Sequence, residues 1–145
     1  MKKVVFEIPG KPAHKGRVRT RVVGKGKGWC GKAFAMHYKD SKTMKSEEKI
    51  RWCWLSQTDG AGPFEGPVEL KVVAIFEPPK SCSKKRRLEL LGEPHTKKPD
   101  ASNIAKQVED ALNTLAYKDD NQIAQLHVQK MYGEDAKTIV EITEL

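Results

Sequence analysis

Carboxylate side chains gather in the last third of this 145-residue chain. Asp100 stands at the start of a predicted helix, Asp110 lies on its polar face, and Asp119 and Asp120 precede the next predicted strand. Because carboxylates held close together repel one another, such a group suits a divalent cation, and hard oxygen ligands favour Mg²⁺ or Mn²⁺. A bound divalent ion can polarise a phosphoryl oxygen and stabilise a leaving alkoxide. The pattern therefore predicts a metal site for phosphodiester cleavage.

Lys106 follows Asp100 by about one and a half helical turns, where its ammonium group can neutralise charge that develops on a phosphorus. The same residues also have ordinary structural roles. Asp100 can be a helix N-cap, and Lys106 can form a surface ion pair with Asp110. Asp119 and Asp120 can form a turn through local hydrogen bonds. The combination, together with a basic N-terminal part, favours the metal site over these separate roles.

Hydrophobic periodicity predicts the elements that position these acids. Strands are predicted at 4–8, 68–76, 122–132 and 138–144, helices at 41–57 and 101–116, and a short helix within 80–99. The last two strands are predicted to form a terminal hairpin, and residues 11–40 a mobile basic loop. This order favours an α+β fold, with a mixed sheet of about four strands flanked by two main helices. The short reversal after the second main helix is expected to bring Asp120 near Asp100.

Length and composition exclude several classes of protein. A chain of 145 residues with 38% hydrophobic residues is expected to form one domain over 1–145. No apolar run reaches the roughly 18 residues of a membrane helix, and residues 4–8 are too short for the apolar region of a secretory signal, so we expect a protein of the cytosol or nucleoplasm without membrane contact. Cys30, Cys53 and Cys82 predict neither a disulfide framework nor structural zinc. The glycines of 24–31 lack the spacing and flanking elements of a phosphate-binding loop, so no nucleotide cofactor is expected.

The net charge of +8 is distributed unevenly along the chain. It is +11 over residues 1–58, from 15 basic and 4 acidic residues, and +2 over 59–99, from 8 and 6. Over 100–145 it is −5, from 4 basic and 9 acidic residues. Excess Lys and Arg favour a polyanionic partner, because phosphate contacts release condensed counterions. A solvated basic surface is the alternative interpretation.

Three segments around the acids form a long and specific motif. They read Lys98-Pro99-Asp100-Ala101-Ser102-Asn103 followed by Lys106, then Asp110-Ala111-Leu112-Asn113, then Tyr117-Lys118-Asp119-Asp120-Asn121-Gln122-Ile123. This motif resembles the signature of the RusA-type Holliday junction resolvases, endodeoxyribonucleases common in bacterial and prophage genomes. The opening Ile8-Pro9-Gly10-Lys11-Pro12 and Lys15-Gly16-Arg17 resemble the first strand and basic loop of that family, so the similarity covers nearly the whole chain.

The resemblance implies a homodimer that binds four-way DNA junctions and makes paired nicks with Mg²⁺ or Mn²⁺ in the cytoplasm of a bacterium. It implies that Asp100 and Asp120 bind metal and that Lys106 is the catalytic lysine. Asn103, Asp110 and Asp119 match recurrent positions of the family's motif.

Ser102 departs from the family pattern, which has a second aspartate at this position. A neutral hydroxyl is a weaker ligand than a carboxylate, so the site has lost one negative charge. Asp110 or Asp119 can compensate, or Ser102 can hold a metal-bound water. Alternatively, the protein binds junctions and cuts them poorly. An RNA-binding protein is a third interpretation, but it gives the acids and Lys106 no role.

The basic residues and one aromatic residue are candidates for DNA contact. Trp29, in the basic loop, can stack on an unpaired base, although an ordinary exposed loop position is the alternative. Trp52 and Trp54 are predicted to pack in the core, with one indole partly exposed. The residues expected to contact DNA are Lys11, Lys15, Arg17, Arg19, Arg21, Lys84, Lys85, Arg86, Arg87, Lys98 and Asn103.

Overall fold

A computed structural model of the protein describes residues 2–16, 19–24 and 31–145. The strands are β1 (Lys3–Pro9), β2 (Arg19–Val23), β3 (Phe34–Tyr38), β4 (Val68–Phe76), β5 (Ile123–Tyr132) and β6 (Lys137–Glu144). The helices are α1 (Ser41–Thr58), α2 (Lys84–Leu90) and α3 (Ala101–Leu112), and a short 3₁₀ turn spans Asp120–Gln122. The protein is therefore α+β, as predicted.

Four of the strands form a mixed sheet in the order β1-β6-β4-β5. β4 pairs in parallel with β5 and antiparallel with β6, and alternate residues of β4 are buried. The buried side of the sheet packs against α1 and α3, whose buried residues include Trp54 and Ile104. The predicted mixed sheet with two main helices is confirmed. Trp54 lies in the core, whereas Trp52 is exposed.

The predicted terminal hairpin is wrong, because β4 lies between β5 and β6. The connection at residues 133–136 crosses the end of β4, where the Gly133 amide donates to the Phe76 carbonyl at 3.0 Å. The five buried side chains of β4 make it the natural central strand, since a central strand is covered and hydrogen-bonded on both edges. A short connection alone does not distinguish adjacent strands from strands separated by one neighbour.

Residues 11–40 are not wholly a loop, because β2 and β3 form an antiparallel two-stranded sheet within them. Its residues are exposed or half-buried, so the segment carries no apolar periodicity from which strands could be predicted. The helix predicted at 101–116 ends at Leu112, because Thr114 adopts a positive φ of 72°. Trp29 and Arg17 lie outside the described residues. No helix in the described ranges is long and apolar enough to cross a membrane.

Replacing Gly133 with Ala should destabilise the connection between β5 and β6. A Cβ atom at Gly133 would lie 2.5 Å from Cγ2 of Ile75, a branched side chain that cannot swing aside freely. We expect a loss of about 1–3 kcal/mol in the free energy of unfolding, measured by urea denaturation. Gly66→Ala is the matched control, since a Cβ there meets no atom within 4 Å. Equal stability of the two variants would contradict this packing.

Candidate active site

Lys106 on α3 lies among three carboxylates. Its Nζ atom is 3.4 Å from Oδ1 of Asp110, 3.5 Å from Oδ2 of Asp120 and 4.0 Å from Oε2 of Glu109. Glu109 and Asp110 are on the same helix, one turn after Lys106, whereas Asp120 comes from the 3₁₀ turn before β5. These ion pairs tie the acidic turn to the middle of α3. We call Lys106, Glu109, Asp110 and Asp120 the Lys106 cluster.

Tyr117 and Gln122 hold the acidic turn against the body of the protein. The buried Tyr117 donates its hydroxyl to the Glu109 carbonyl over 2.8 Å. Gln122 donates its amide to the carbonyls of Phe64 and Gly66 at 3.0 and 2.9 Å. The Gln122 side-chain oxygen accepts from the backbone amides of residues 118 and 119. The position of Asp120 is therefore set by hydrogen bonds on both sides of it.

Lys15 reaches the same site from the segment that follows β1. Its Nζ atom pairs with Oδ2 of Asp110, and its backbone amide donates to the Asn103 carbonyl over 3.1 Å. The next residue, Gly16, donates its amide to Oγ1 of Thr43 on α1 over 3.1 Å. Lys15 is thus fixed against α3 rather than free on the surface. Each carboxylate oxygen of Asp110 faces a different lysine.

Burial and charge have opposing effects on the pKa values in this cluster. The Asp110 charge raises the pKa of Lys106, with further contributions from Asp120 and Glu109 that outweigh burial. Burial acts to raise the pKa of Asp110, but the hydrogen bond and charge of Lys15, together with Lys106, lower it overall. Burial raises the pKa of Glu109, and the neighbouring Asp120 and Asp110 add to this effect. The pKa of Asp110 therefore lies below its usual value, whereas that of Glu109 lies above it despite the opposing charge of Lys106.

Asp100 opens onto a groove beside this cluster. The groove has a volume of about 450 Å³ and is lined by Lys11, His14, Lys15, Gly16, Lys98, Pro99, Asp100 and Asn103. Asp100 occupies the N-cap position of α3, but its side chain makes no capping hydrogen bond within the described part of the chain. Its carboxylate is therefore available for a ligand. Lys15 lines the groove and also pairs with Asp110 of the Lys106 cluster.

The five residues predicted to ligate metal differ in how far their oxygens are already engaged. Asp110 is paired with two lysines, and Asp119 caps the 3₁₀ turn by accepting from the Asn121 amide at 3.4 Å. Ser102 is exposed in the first turn of α3. The carboxylates of Asp100 and Asp120 remain, the second with one oxygen near Lys106.

Carboxylate oxygens such as those of Asp100 and Asp120 are ligands that hard divalent cations accept. Mg²⁺ typically takes one or two protein carboxylates and completes its shell with waters and substrate phosphates. Across residues 2–16, 19–24 and 31–145, no group of three or more acidic, His or Cys side chains is arranged to hold a metal. A cation would therefore depend on Asp100, Asp120 and ligands from outside the protein.

Apart from Arg17, which lies outside the described residues, the residues predicted to contact DNA lie in three places. Lys11, Lys15, Lys98 and Asn103 line the groove. Arg19 and Arg21 are exposed on β2. The remaining four, Lys84, Lys85, Arg86 and Arg87, are on α2, where Arg86 also pairs with Glu89 at 3.5 Å.

Comparison with known proteins identifies the family. A family model described as endodeoxyribonuclease RusA matches residues 9–143. The chain belongs to the RusA endodeoxyribonuclease family. It is also 32% identical over 146 residues to the uncharacterized protein YqaN of Bacillus subtilis (strain 168), covering 98% of this chain and 96% of YqaN. The predicted resemblance is confirmed, and membership supports a nuclease function.

Within this RusA-family site, the structure adds residues that the sequence pattern did not single out. Glu109 stands three residues after Lys106, a spacing that brings side chains together on a helix and could have indicated the contact. Tyr117 and Gln122 are in the motif, but their anchoring role depends on backbone groups at residues 64, 66 and 109. The pairing of Lys15 with Asp110 spans 95 positions and has no local signal.

Replacing Asp110 with Asn removes the carboxylate shared by Lys15 and Lys106. Because folding lowers the Asp110 pKa, the stability it contributes is present above about pH 4 and is lost as the pH falls through the folded pKa. We expect Asp110→Asn to be less stable than wild type at pH 7 and the difference to shrink at pH 3. Urea denaturation in the presence of EDTA measures both values.

Asp135→Asn is the control for this comparison, since Asp135 lies in the exposed turn between β5 and β6. It should show no comparable pH-dependent difference from wild type. An Asp110→Asn protein as stable as wild type at pH 7 would contradict a stabilising role for the paired lysines.

Proposed function

We propose that this protein is a Mg²⁺- or Mn²⁺-dependent endodeoxyribonuclease that resolves four-way DNA junctions by paired phosphodiester cleavage. The observation that carries the proposal is the contact of Asp120 with Lys106, beside a groove that contains Asp100 and three lysines. Carboxylates for a cation and ammonium groups for phosphates are the two requirements of phosphodiester cleavage. Membership in the RusA family favours DNA junctions as the substrate. It also favours the cytoplasm as the location and a bacterial or prophage gene as the origin.

Asp100 and Asp120 would hold the cation in this reaction. When bound, a divalent ion supplies Lewis acidity at the phosphoryl oxygen and lowers the pKa of a bound water. Lys106 neutralises negative charge that accumulates at the scissile phosphate. Lys11 and Lys98 bind flanking phosphates from the groove wall. Asp110 is a positioning residue, because it orients Lys15 and Lys106 without needing to touch DNA.

Homodimer formation is part of the proposal, since paired cuts require two sites related by a two-fold axis. The outer face of α1 exposes Met44, Trp52 and Leu55, at 52%, 71% and 52% respectively. Glu48 and Arg51 border the same surface. Contact between two copies across this face would bury these apolar side chains, and its border carries charges of both signs, so we assign it to dimer contact.

Trp52→Glu should convert a dimer into a monomer without unfolding it, because Trp52 makes no part of the monomer core. Sedimentation velocity at micromolar concentration measures the mass. Leu88→Glu on α2 is the matched control, since Leu88 is equally exposed at 71% and lies on another helix. A monomeric wild type, or a dimeric Trp52→Glu variant, would contradict this interface.

Asp120→Asn should bind a synthetic four-way junction with affinity near that of wild type and fail to cut it. The amide keeps the size of the side chain but removes the charge that a cation requires. Cleavage of a labelled junction with Mg²⁺ or Mn²⁺, with gel-shift binding measured in EDTA, separates the two effects. Asp135→Asn should cut normally. Full activity of Asp120→Asn would contradict the catalytic assignment.

Ser102→Asp tests the alternative that the protein binds junctions but has a weakened site. In an active nuclease, the added carboxylate should change the cleavage rate little, because Asp100 and Asp120 already suffice. A nearly inactive wild type that gains a large rate from Ser102→Asp would instead support the junction-binding alternative. The cleavage rate of both proteins under saturating Mg²⁺ gives the answer.

A further inference from the structure

The sheet formed by β2 and β3, which we call the ribbon, extends from the body without a supporting layer. Its two strands pair with each other, separately from the four-stranded sheet. Of the ten residues that the structure describes in these strands, none is buried. A two-stranded sheet without a packed face is marginally stable in water. The ribbon therefore has a surface that is suited to contact with a partner.

One face of the ribbon combines arginines with large apolar side chains. Strand alternation and register place Arg19 opposite Tyr38, Arg21 opposite Met36, and Val23 opposite Phe34 on the same face. Phe34, Met36 and Tyr38 are 50%, 47% and 45% exposed. Adjacent exposed apolar side chains typically mark an interaction site.

Charge indicates which partner suits this face. Between Glu7 and Asp40 the sequence contains nine Lys and Arg residues and no Asp or Glu. A second copy of the ribbon would bring like charges together, which disfavours contact between ribbons. A polyanion with exposed flat rings satisfies both the arginines and the aromatic side chains.

The base of the ribbon is fixed beside the candidate active site. On the incoming side, Lys15 pairs with Asp110 and Gly16 bonds to Thr43. On the return side, Lys39 pairs with Glu47 at 2.9 Å, and the Asp40 carboxylate accepts from the Thr43 amide at 2.8 Å. Both ends of the ribbon thus meet α1 next to the groove.

We propose that the ribbon binds DNA at the branch point, with Arg19 and Arg21 on phosphates and Phe34 and Tyr38 stacked on bases where the continuous stack of the duplex is interrupted. Stacking on aromatic side chains is available to any base, and a base at an interrupted stack has a face free for it, unlike a base inside a linear duplex. The ribbon would then distinguish a branched from a linear duplex, independently of the residues that cut. This inference rests on the proposed function, because it takes the junction as the substrate.

The test compares binding of a four-way junction, carrying 2-aminopurine at the branch point, with binding of a linear duplex of the same sequence. All measurements use the full chain in EDTA, so cleavage does not interfere. Phe34→Ala combined with Tyr38→Ala should weaken junction binding about tenfold or more, leave duplex binding nearly unchanged and abolish the fluorescence change on binding. Phe34→Tyr combined with Tyr38→Phe should restore all three properties, since the rings are retained.

The arginines provide an independent arm of the test. Arg19→Gln combined with Arg21→Gln should weaken junction and duplex binding alike and lower the salt dependence by about two phosphate contacts. The matched control is Val22→Ala on the opposite face of the ribbon, because Thr20 on that face bonds to His37 of the other strand at 3.0 Å and is left in place. Because all these side chains are exposed or half-buried, their replacement should leave the core intact. Thermal unfolding of each variant checks this.

Distinct results overturn the inference and the proposed function. If wild type cuts and prefers the junction while the aromatic double variant keeps its affinity and fluorescence change, the inference fails and the function stands. An equal loss in the opposite-face control also overturns the inference. If the aromatic double variant changes its oligomeric mass but keeps the DNA affinity of wild type, the inference fails and the ribbon is a protein contact instead. If wild type neither prefers nor cuts the junction, the proposed function itself fails.

Discussion

The ion pairs of Lys106 with Asp110 and Asp120 are the interactions on which the site depends. They join α3 to the turn before β5, two segments whose acids would otherwise repel one another. The surrounding fold supports this contact between α3 and the turn from both sides. Tyr117 and Gln122 fix the turn, and the buried face of α3 fixes the helix against the sheet.

Competition between cations follows from this arrangement. Glu109, Asp110 and Asp120 carry three carboxyl groups, whereas Lys15 and Lys106 supply two ammonium groups. In the proposed reaction, Asp120 would hold the divalent ion while its carboxylate also faces Lys106. The two oxygens of Asp110 face two lysines, so we propose it as the residue that orients both.

Elements with a buried face were predictable from the sequence, and exposed or non-local features were not. β4 matches its predicted range because its apolar residues alternate, and α1 follows its range closely because the segment contains no Gly or Pro. β2 and β3 carry no such signal, since neither strand has a buried residue. The placement of β4 between β5 and β6 depends on packing across the whole sheet, which a local turn pattern does not specify.

The same distinction applies to the site. The short reversal after α3 predicted that Asp120 would lie near Asp100, since few residues separate the end of the helix from the turn. The contact that the structure provides is with Lys106, and Asp100 instead lines the groove with Lys15. The part played by Lys15 was not predictable, because its partner Asp110 is 95 residues away. Ser102, the departure from the family motif, is exposed at the start of α3.

Anomalous diffraction from a crystal grown with Mn²⁺ would show whether the two aspartates hold a cation. We expect a manganese peak bound to carboxylate oxygens of Asp100 and Asp120, with Asp110 still paired to Lys15. A crystal soaked in Mn²⁺ that shows no peak at either aspartate, or shows the ion held by Asp110 in place of Lys15, would contradict this expectation.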